Sequence, residues 1–591
     1  MPVNPSAHQG KRRVGSGVIS LPCTEQFSEA KMSSTIQGLP EGSIVPDAEA
    51  QRRLDTGEWS VTSLSTFLDD AVVKYPQRVA AVSVDHHGQA VREMTFAELD
   101  EMSRRVAAGL QARGVRPRDV VTVMMTNSAE FLGIVYGILR AGATYSGIPI
   151  TYGTHEVEFM TKTTGTKMLI VSRFHGGRDV VSTAIPATGR DDEGLEVVIV
   201  GEPVGDTVTL DSLMGPADAF EPVPVDPLGI AQLAFTSGTT SEPKAVMNLH
   251  TTLDVVVRGW AAHVGHDSLG QPMRNLVMSP VGHSTGFFWG ALLTVHLGGT
   301  AVFVEKWSPD VGAQIIEGAR ITCMVGSPTF LIDLLRTAGL TREKADTLSL
   351  IVVAGAPIPR PLMAEAEQAL GCAVIPAWGM TEFGIAVSGR PGLGIINRET
   401  DGVRLDSAEI SIRDAEGAEA PDGTEGALWL RGTGMFVGYY DRLEATREAF
   451  DDEGWFATGD TAVRDSQGSV TITGRTKDII IRGGENIPVG SVESLIFRHP
   501  AVTEVAVVGY PDERLGERAC AFLRCQAGTS LNVDELRNFL TESGLAKRYC
   551  PERVIVVDDM PKTMSGKIRK VELRERLAVG AYAQPSGTIS T

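Results

Sequence analysis

The chain has 591 residues, too many for one hydrophobic core, so at least two domains are expected. Composition is 42% hydrophobic and 21% charged, which excludes a disordered or fibrous chain and fits a globular protein. Acidic residues outnumber basic ones, 73 to 54, for a net charge of −19; this disfavours non-specific binding to nucleic acid or an anionic membrane, and any anionic ligand must find positive charge locally.

Residues 1–45 show little periodicity and many Ser, Gly and Pro, so a disordered N-terminal extension is expected. Lys11-Arg12-Arg13 is followed by no long apolar run, so no secretory signal is expected. Met32 is an alternative start. A polar stretch from Ala48 then leads to Leu64, Phe67, Leu68, Ala71 and Val72 at helical spacing. Apolar runs at 120–125, 167–172, 196–200, 275–278, 301–304, 321–325, 350–353 and 373–375 read as strands, with helices such as 96–112 and 130–141 between some of them. This alternation argues for an α/β fold, a large layered domain with mostly parallel sheets. After Lys477 a smaller α/β pattern begins: helices near 491–497 and 533–542, strands at 505–508, 520–523 and 554–557. The expected division is 1–45, 46–476 and 477–591, the last ending in a disordered tail. The six cysteines have no metal-ligand spacing and read as reduced thiols of a cytoplasmic protein. No apolar stretch has the length of a membrane-spanning helix.

One stretch stands out. The run 230–235 reads as a buried strand, and Thr236-Ser237-Gly238-Thr239-Thr240-Ser241-Glu242-Pro243-Lys244 follows it. Five hydroxyl residues, a glycine and a lysine suit a polyphosphate. Hydroxyls and backbone N–H groups donate to phosphate oxygens, Gly238 allows close approach, and Lys244 supplies charge. It is not the P-loop, because Lys244 is neither preceded by Gly nor followed by Ser or Thr. A polar surface turn fits this composition equally well. Further along come Gly282-His283-Ser284-Thr285-Gly286-Phe287, Ala354-Gly355-Ala356-Pro357, Trp378-Gly379-Met380-Thr381-Glu382, Gly454-Trp455-Phe456-Ala457-Thr458-Gly459-Asp460, Gly474-Arg475-Thr476-Lys477, Gly483-Gly484-Glu485 and Pro561-Lys562-Thr563-Met564-Ser565-Gly566-Lys567.

In this order the motifs resemble those of the adenylate-forming superfamily, which includes acyl-CoA synthetases, peptide-synthetase adenylation domains and luciferases. The resemblance runs from about Ala48 to Leu577. It implies that Thr236, Ser237, Gly238, Thr239, Thr240 and Lys244 hold ATP phosphates. Gly355, Ala356, Pro357, Trp378 and Gly379 would cover adenine, Trp378 standing where tyrosine is usual. Thr381 would donate to the α-phosphate, Glu382 would hold Mg²⁺, and Asp460 and Arg475 would bind ribose or phosphate. His283 would border the carboxylate, Lys567 would be the catalytic lysine, and Lys477 the hinge of a small mobile α+β C-terminal domain. Gly483, Gly484 and Glu485 would meet the CoA arm. Ser241 and Ala245 depart from the family's glycines, and Gly389–Gly402 matches its pattern poorly.

The implied activity is ATP-dependent acid:CoA ligation through acyl-AMP, releasing AMP and pyrophosphate. The opening from Ala48 resembles ligases of aryl, alicyclic and medium-chain acids and the run 280–290 those of medium-chain and cyclohexanecarboxylic acids, so a medium-chain or alicyclic/aryl acid is expected; no acidic residue lies between Met278 and Leu293 to pair with an amino-acid ammonium. Expected partners are a small carboxylic acid, ATP, Mg²⁺ and coenzyme A, with no nucleic acid and no integral membrane association; a homodimer is the candidate assembly. Two other readings stay open. One is a stand-alone adenylation enzyme that loads a carrier protein, and the other a non-catalytic nucleotide-binding homologue.

Overall fold

Two sheets, strongly apolar on their inner strands, carry the large body. The structure is a computed structural model, and it describes residues 38–182, 195–205, 207–236, 243–476, 480–482, 485–487, 489–512, 514–563 and 566–579. The first sheet runs Val403–Arg404, Gly384–Ser388, Ala373–Met380, Leu350–Val353, Cys323–Gly326, Arg274–Val277, Thr300–Val304, Val79–Val84, Ala90–Thr95. Its middle is parallel and both edges turn antiparallel. The second runs Lys244–Leu249, Ile230–Thr236, Thr144–Gly147, Val120–Met124, Met168–Ser172, Glu196–Val200, Val208–Thr209. It is parallel except for the first pair, an antiparallel hairpin. The mostly parallel α/β architecture expected from the sequence is therefore present.

Every residue of Val120–Met124, Met168–Ser172 and Thr300–Val304 is buried. A parallel strand covered on both faces needs such a continuous apolar run rather than an alternating one. Helices Phe96–Ala112 and Glu130–Arg140 pack together on the sheets and share one core with residues of both. The first begins at a reciprocal cap, in which Thr95 accepts from the Glu98 N–H and Glu98 accepts from the Thr95 N–H.

A four-stranded antiparallel sheet follows: Ala408–Arg413, Gly426–Gly432, Phe456–Arg464 and Val470–Arg475. The last sheet contains Glu485–Ile487, Ile480–Arg482, Gly516–Cys525 and Val502–Asp512, with Arg553–Val556 parallel to Gly516–Cys525. Helices Val489–Phe497 and Val533–Glu542 bury apolar residues in one cluster on this sheet. Helix Lys570–Ala578 contributes to a second, around Phe522. These sheets belong to one compact unit of the chain.

The structure differs from the sequence reading at the N-terminal side. Residues 38–45 were expected within a disordered extension, but the Ile44 N–H donates to the Val437 carbonyl at 2.8 Å. Leu39 and Val45 also pack against the cluster around Trp59. The stretch read as merely polar contains helix Asp47–Asp55, whose Ala50 and Leu54 reach the same cluster. The five described cysteines form no disulfide.

Candidate active site

The hydroxyl-rich stretch joins two paired strands. Thr236 stands opposite Lys244 in the hairpin register, and its Oγ1 donates to the Lys244 carbonyl at 3.4 Å. The chain therefore leaves and returns at one point of the sheet. Ser237 through Thr240, and Ser241, lie outside the described residues.

Lys244 Nζ sits 4.7 Å from the centre of the Tyr439 ring, within the range of cation–π attraction. The Tyr439 hydroxyl donates to Glu382 Oε1 at 3.0 Å. Glu382 is only 6% exposed. Burial raises its carboxyl above the usual range, while its own backbone N–H, the Tyr439 hydroxyl and the charges of Arg475 and Lys244 pull it down. One residue earlier, the Thr381 carbonyl accepts from Asn248 Nδ2 at 3.4 Å, and that amide also donates to Gln232 Oε1 at 3.1 Å. Asn248 and Gln232 are paired across the hairpin. Thr381-Glu382 is thus strapped to the same hairpin that carries Lys244.

Trp378 and Gly379 lie on Ala373–Met380, which turns back into Gly384–Ser388. A Cβ at Gly379 would lie 1.8 Å from the Gly384 carbonyl oxygen, so only glycine fits. Trp378 Nε1 donates to Asp460 Oδ2 at 3.0 Å, and Arg475 Nε pairs with Asp460 Oδ1 at 3.2 Å. Asp460 and Arg475 face each other across paired strands. The carboxylate of Asp460 therefore joins the large sheet to the four-stranded one. Gly355 follows Leu350–Val353 with φ +83°, and nothing lies within 4 Å of a Cβ built there. Ala356 and Pro357 continue this open turn.

His283 precedes the short helix Ser284–Gly286. It lines a pocket with Gly147, Pro149, Tyr152, Phe235 and Thr381. Burial lowers its pKa, which favours the neutral imidazole. Phe287, Phe288 and Trp289 do not line this pocket; they begin the buried π-helix Phe287–Leu293. Phe287 stacks on Tyr145 with centroids 4.7 Å apart, and Trp289 meets Trp260 edge-on at 4.5 Å. The wide π turn leaves the Trp289 carbonyl accessible to side chains. It accepts from Asn275 Nδ2 at 3.1 Å and Thr294 Oγ1 at 2.6 Å.

Lys567 lies in a tight turn based on Lys562 and Ile568. The Thr563 N–H donates to the Lys567 carbonyl at 2.8 Å, and the Lys567 N–H to Thr563 Oγ1 at 3.1 Å. Thr329 Oγ1, on helix Pro328–Arg336 of the large body, donates to the Gly566 carbonyl at 3.0 Å. Burial raises the pKa of Tyr152 in the pocket and Glu156 raises it further, while the charge of Arg569 pulls it down. Lys477, Gly483 and Gly484 lie outside the described residues, as does the side chain of Glu485, whose backbone pairs with Arg482.

The structure thus gathers Lys244, Thr381, Glu382, Trp378, Asp460 and Arg475, with the His283 pocket adjoining Thr381. Sequence reasoning missed Tyr439, Asn248 and Thr329. None sits in a recognisable motif; each is known only through its partner.

The profile of the AMP-binding enzyme family matches residues 68–440, and that of the AMP-binding enzyme C-terminal domain matches residues 491–567. The chain is 30% identical over 533 residues to the medium-chain fatty-acid–CoA ligase of Escherichia coli, covering 88% of this chain and 91% of that one. It is 30% identical over 508 residues to a feruloyl-CoA synthase of Amycolatopsis, covering 84% and 96%. The crystal structure of ATP-bound MatB from Rhodopseudomonas palustris superposes with a TM-score of 0.77 at 28% identity, covering 87% and 99%. Among the described residues no helix is long and apolar enough to cross a membrane. The match over most of the chain, together with the gathered motifs, shows that it belongs to the AMP-binding enzyme family of adenylate-forming proteins.

Proposed function

We propose that the protein joins a medium-chain or alicyclic carboxylic acid to coenzyme A at the cost of ATP. The class, an AMP-forming acid–thiol ligase, follows from the family and its relatives. The acid is inferred from the similarity of residues 280–290 to ligases of that substrate group. The observation that carries the reading is the convergence of Lys244, Glu382 and Arg475 beside the hairpin.

In the first step a carboxylate oxygen bonds to the α-phosphorus of ATP and the bond to pyrophosphate breaks. Lys244 and the hairpin hydroxyls hold the β- and γ-phosphates, Thr381 donates to the α-phosphate, and Lys567 offsets charge between the reacting oxygens. Trp378 stacks on adenine, and Asp460 accepts from the ribose hydroxyls. His283, held neutral, borders the acid. These groups position substrates and neutralise charge rather than form bonds. Among the described residues no three His, Cys, Asp or Glu side chains cluster for a metal. Glu382, a buried carboxylate beside the hairpin, is the group that would hold Mg²⁺ together with phosphate oxygens, and the ion would supply charge neutralisation. In the second step the CoA sulfur bonds to the acyl carbon and AMP leaves. The segment after residue 477 then turns about Lys477, withdrawing Lys567 and bringing Gly483, Gly484 and Glu485 to the thiol.

The test incubates the protein with ATP, Mg²⁺, CoA and hexanoate, octanoate, cyclohexanecarboxylate, benzoate, palmitate or phenylalanine, with mass-spectrometric detection of acyl-CoA. Octanoate or cyclohexanecarboxylate should give the highest kcat/KM. Preference for palmitate or phenylalanine would refute the acid class, and acyl-AMP without acyl-CoA would point to a carrier-protein acceptor.

A further inference from the structure

The contact between Thr329 and Gly566 carries an inference beyond the motifs. Gly566 has φ +79°, and a Cβ there would come within 2.8 Å of Ser327 Oγ and 3.2 Å of Thr329 Cβ. The turn is therefore seated directly on the start of helix Pro328–Arg336, with no side chain between. Its carbonyl points at Thr329 Oγ1. The helix start is held from within, since the Phe330 N–H donates to the Ser327 carbonyl at 3.0 Å. One turn further along this helix, Asp333 lies among charges of the same small domain. Burial raises its pKa, Lys562 lowers it, and Glu504 raises it again. Lys562 in turn pairs with Glu504 at 2.6 Å. The helix thus meets the turn that holds Lys567 through the Thr329 hydroxyl, with Asp333 within range of the Lys562 charge.

We propose that Thr329 is a positioning residue for Lys567. Its hydroxyl holds the peptide immediately before the lysine and so fixes where the lysine is delivered in the adenylation step. The proposal rests on the reading of Lys567 given above. Thr329 touches no reacting atom; it acts through the 566–567 peptide. A single neutral hydrogen bond of about 0.5–1.5 kcal/mol corresponds to roughly two- to tenfold in rate.

The experiment compares Thr329→Val, which keeps the shape, with Thr329→Ser, which keeps the hydroxyl, and includes Lys567→Ala and the Thr329→Val/Lys567→Ala double variant. Pyrophosphate release at saturating ATP and acid reads the first step, and conversion of supplied acyl-AMP and CoA reads the second. Hydrogen exchange over residues 566–570 reads the contact without any substrate. Thr329→Val should slow the first step two- to tenfold through kcat, leave the second unchanged and speed exchange. Thr329→Ser should behave as wild type, and the double variant should be no slower than Lys567→Ala. Equal loss in both steps, equal loss in Val and Ser variants, additive loss in the double variant, or unchanged exchange would each overturn the proposal. If Lys567→Ala itself leaves the first step intact, the reading of the lysine falls and the role of Thr329 falls with it. A crippled Lys567→Ala beside a normal Thr329→Val refutes Thr329 alone.

Discussion

The Tyr439 hydroxyl lies between a buried acid and a cation: it donates to Glu382 while the face of its ring receives Lys244. The carboxylate form of Glu382 is the one that accepts this bond and the one that would hold a metal ion. Burial raises the Tyr439 pKa, and Glu382 raises it further, so the phenol stays protonated and remains a donor.

Tyr439→Phe removes the donor and leaves the carboxylate buried. The Glu382 pKa, already raised, should rise further, because the lost bond favoured the charged form. ATP-dependent pyrophosphate release near pH 7 should fall about 10- to 100-fold, the equivalent of a hydrogen bond to a charged group. The acidic limb of its pH–rate profile should move to higher pH. A limb that stays in place in the variant would refute the role of the pair.

Trp378→Phe keeps a flat ring, as the proposed stacking on adenine requires, but deletes the Nε1 donor to Asp460. Asp460 would retain Arg475, so the loss should be partial. The KM for ATP should rise several-fold and unfolding free energy fall by about 1 kcal/mol, read by steady-state kinetics and urea titration. An unchanged KM with lowered stability would assign the bond to the fold alone.

His250 is fully enclosed, and its Nδ1 accepts from the Leu64 N–H at 3.2 Å. Burial pushes its pKa down from 6.5 to about 4. The folded state therefore binds fewer protons than the unfolded state between these values. The contribution of His250 is fully present above pH 6.5 and is lost as pH falls through about 4. It is on the order of 3 kcal/mol. Urea titrations at pH 7.5 and pH 4.5 should show a smaller difference for His250→Asn than for wild type; equal differences would refute the assignment.

Truncation should separate two parts of the N-terminal stretch. A chain beginning at Gly38 keeps the Ile44–Val437 hydrogen bond and the packing of Leu39 and Val45. One beginning at Pro46 loses all three and should be about 2–4 kcal/mol less stable. Equal melting temperatures would show that residues 38–45 add nothing to the fold.

Much of the large body was legible because its strands are buried on both faces, so their apolar runs are continuous. Leu350–Val353, buried throughout, coincides with the sequence reading to the residue; so do the partly buried strand Glu196–Val200 and helix Phe96–Ala112, the latter marked by its helical spacing. Strands with solvent on one side were harder. Gly426–Gly432 and Phe456–Arg464 mix half-buried and buried positions with irregular register, and no run marked them. Ala373–Met380 extends well past its apolar core because its end is fixed by pairing with Gly384–Ser388, not by composition. At the site, Lys244, Glu382 and Asp460 could be singled out because each follows a glycine- and threonine-rich motif. Tyr439 and Asn248 could not, since hydrogen bonds across long sequence separations leave no local pattern. Phe287 and Trp289 lie in the core and not in the pocket, because consecutive large apolar residues in a helix cannot all face one side.

The π-helix Phe287–Leu293 has one further consequence, for chain length. A π turn is an α-helical turn that has taken in one additional residue. The segment runs between two fixed points: His283 in the pocket, and His296, whose ring lies 4.7 Å from that of Phe67. Deleting one residue between them would restore ordinary helical bonding but rotate one end against the other by about 100°. Either the pocket histidine or the one docked on Phe67 would then face the wrong way. The extra residue acts as a spacer that lets both ends of the segment be seated at once, so single-residue deletions here should be far more damaging than substitutions that preserve the count.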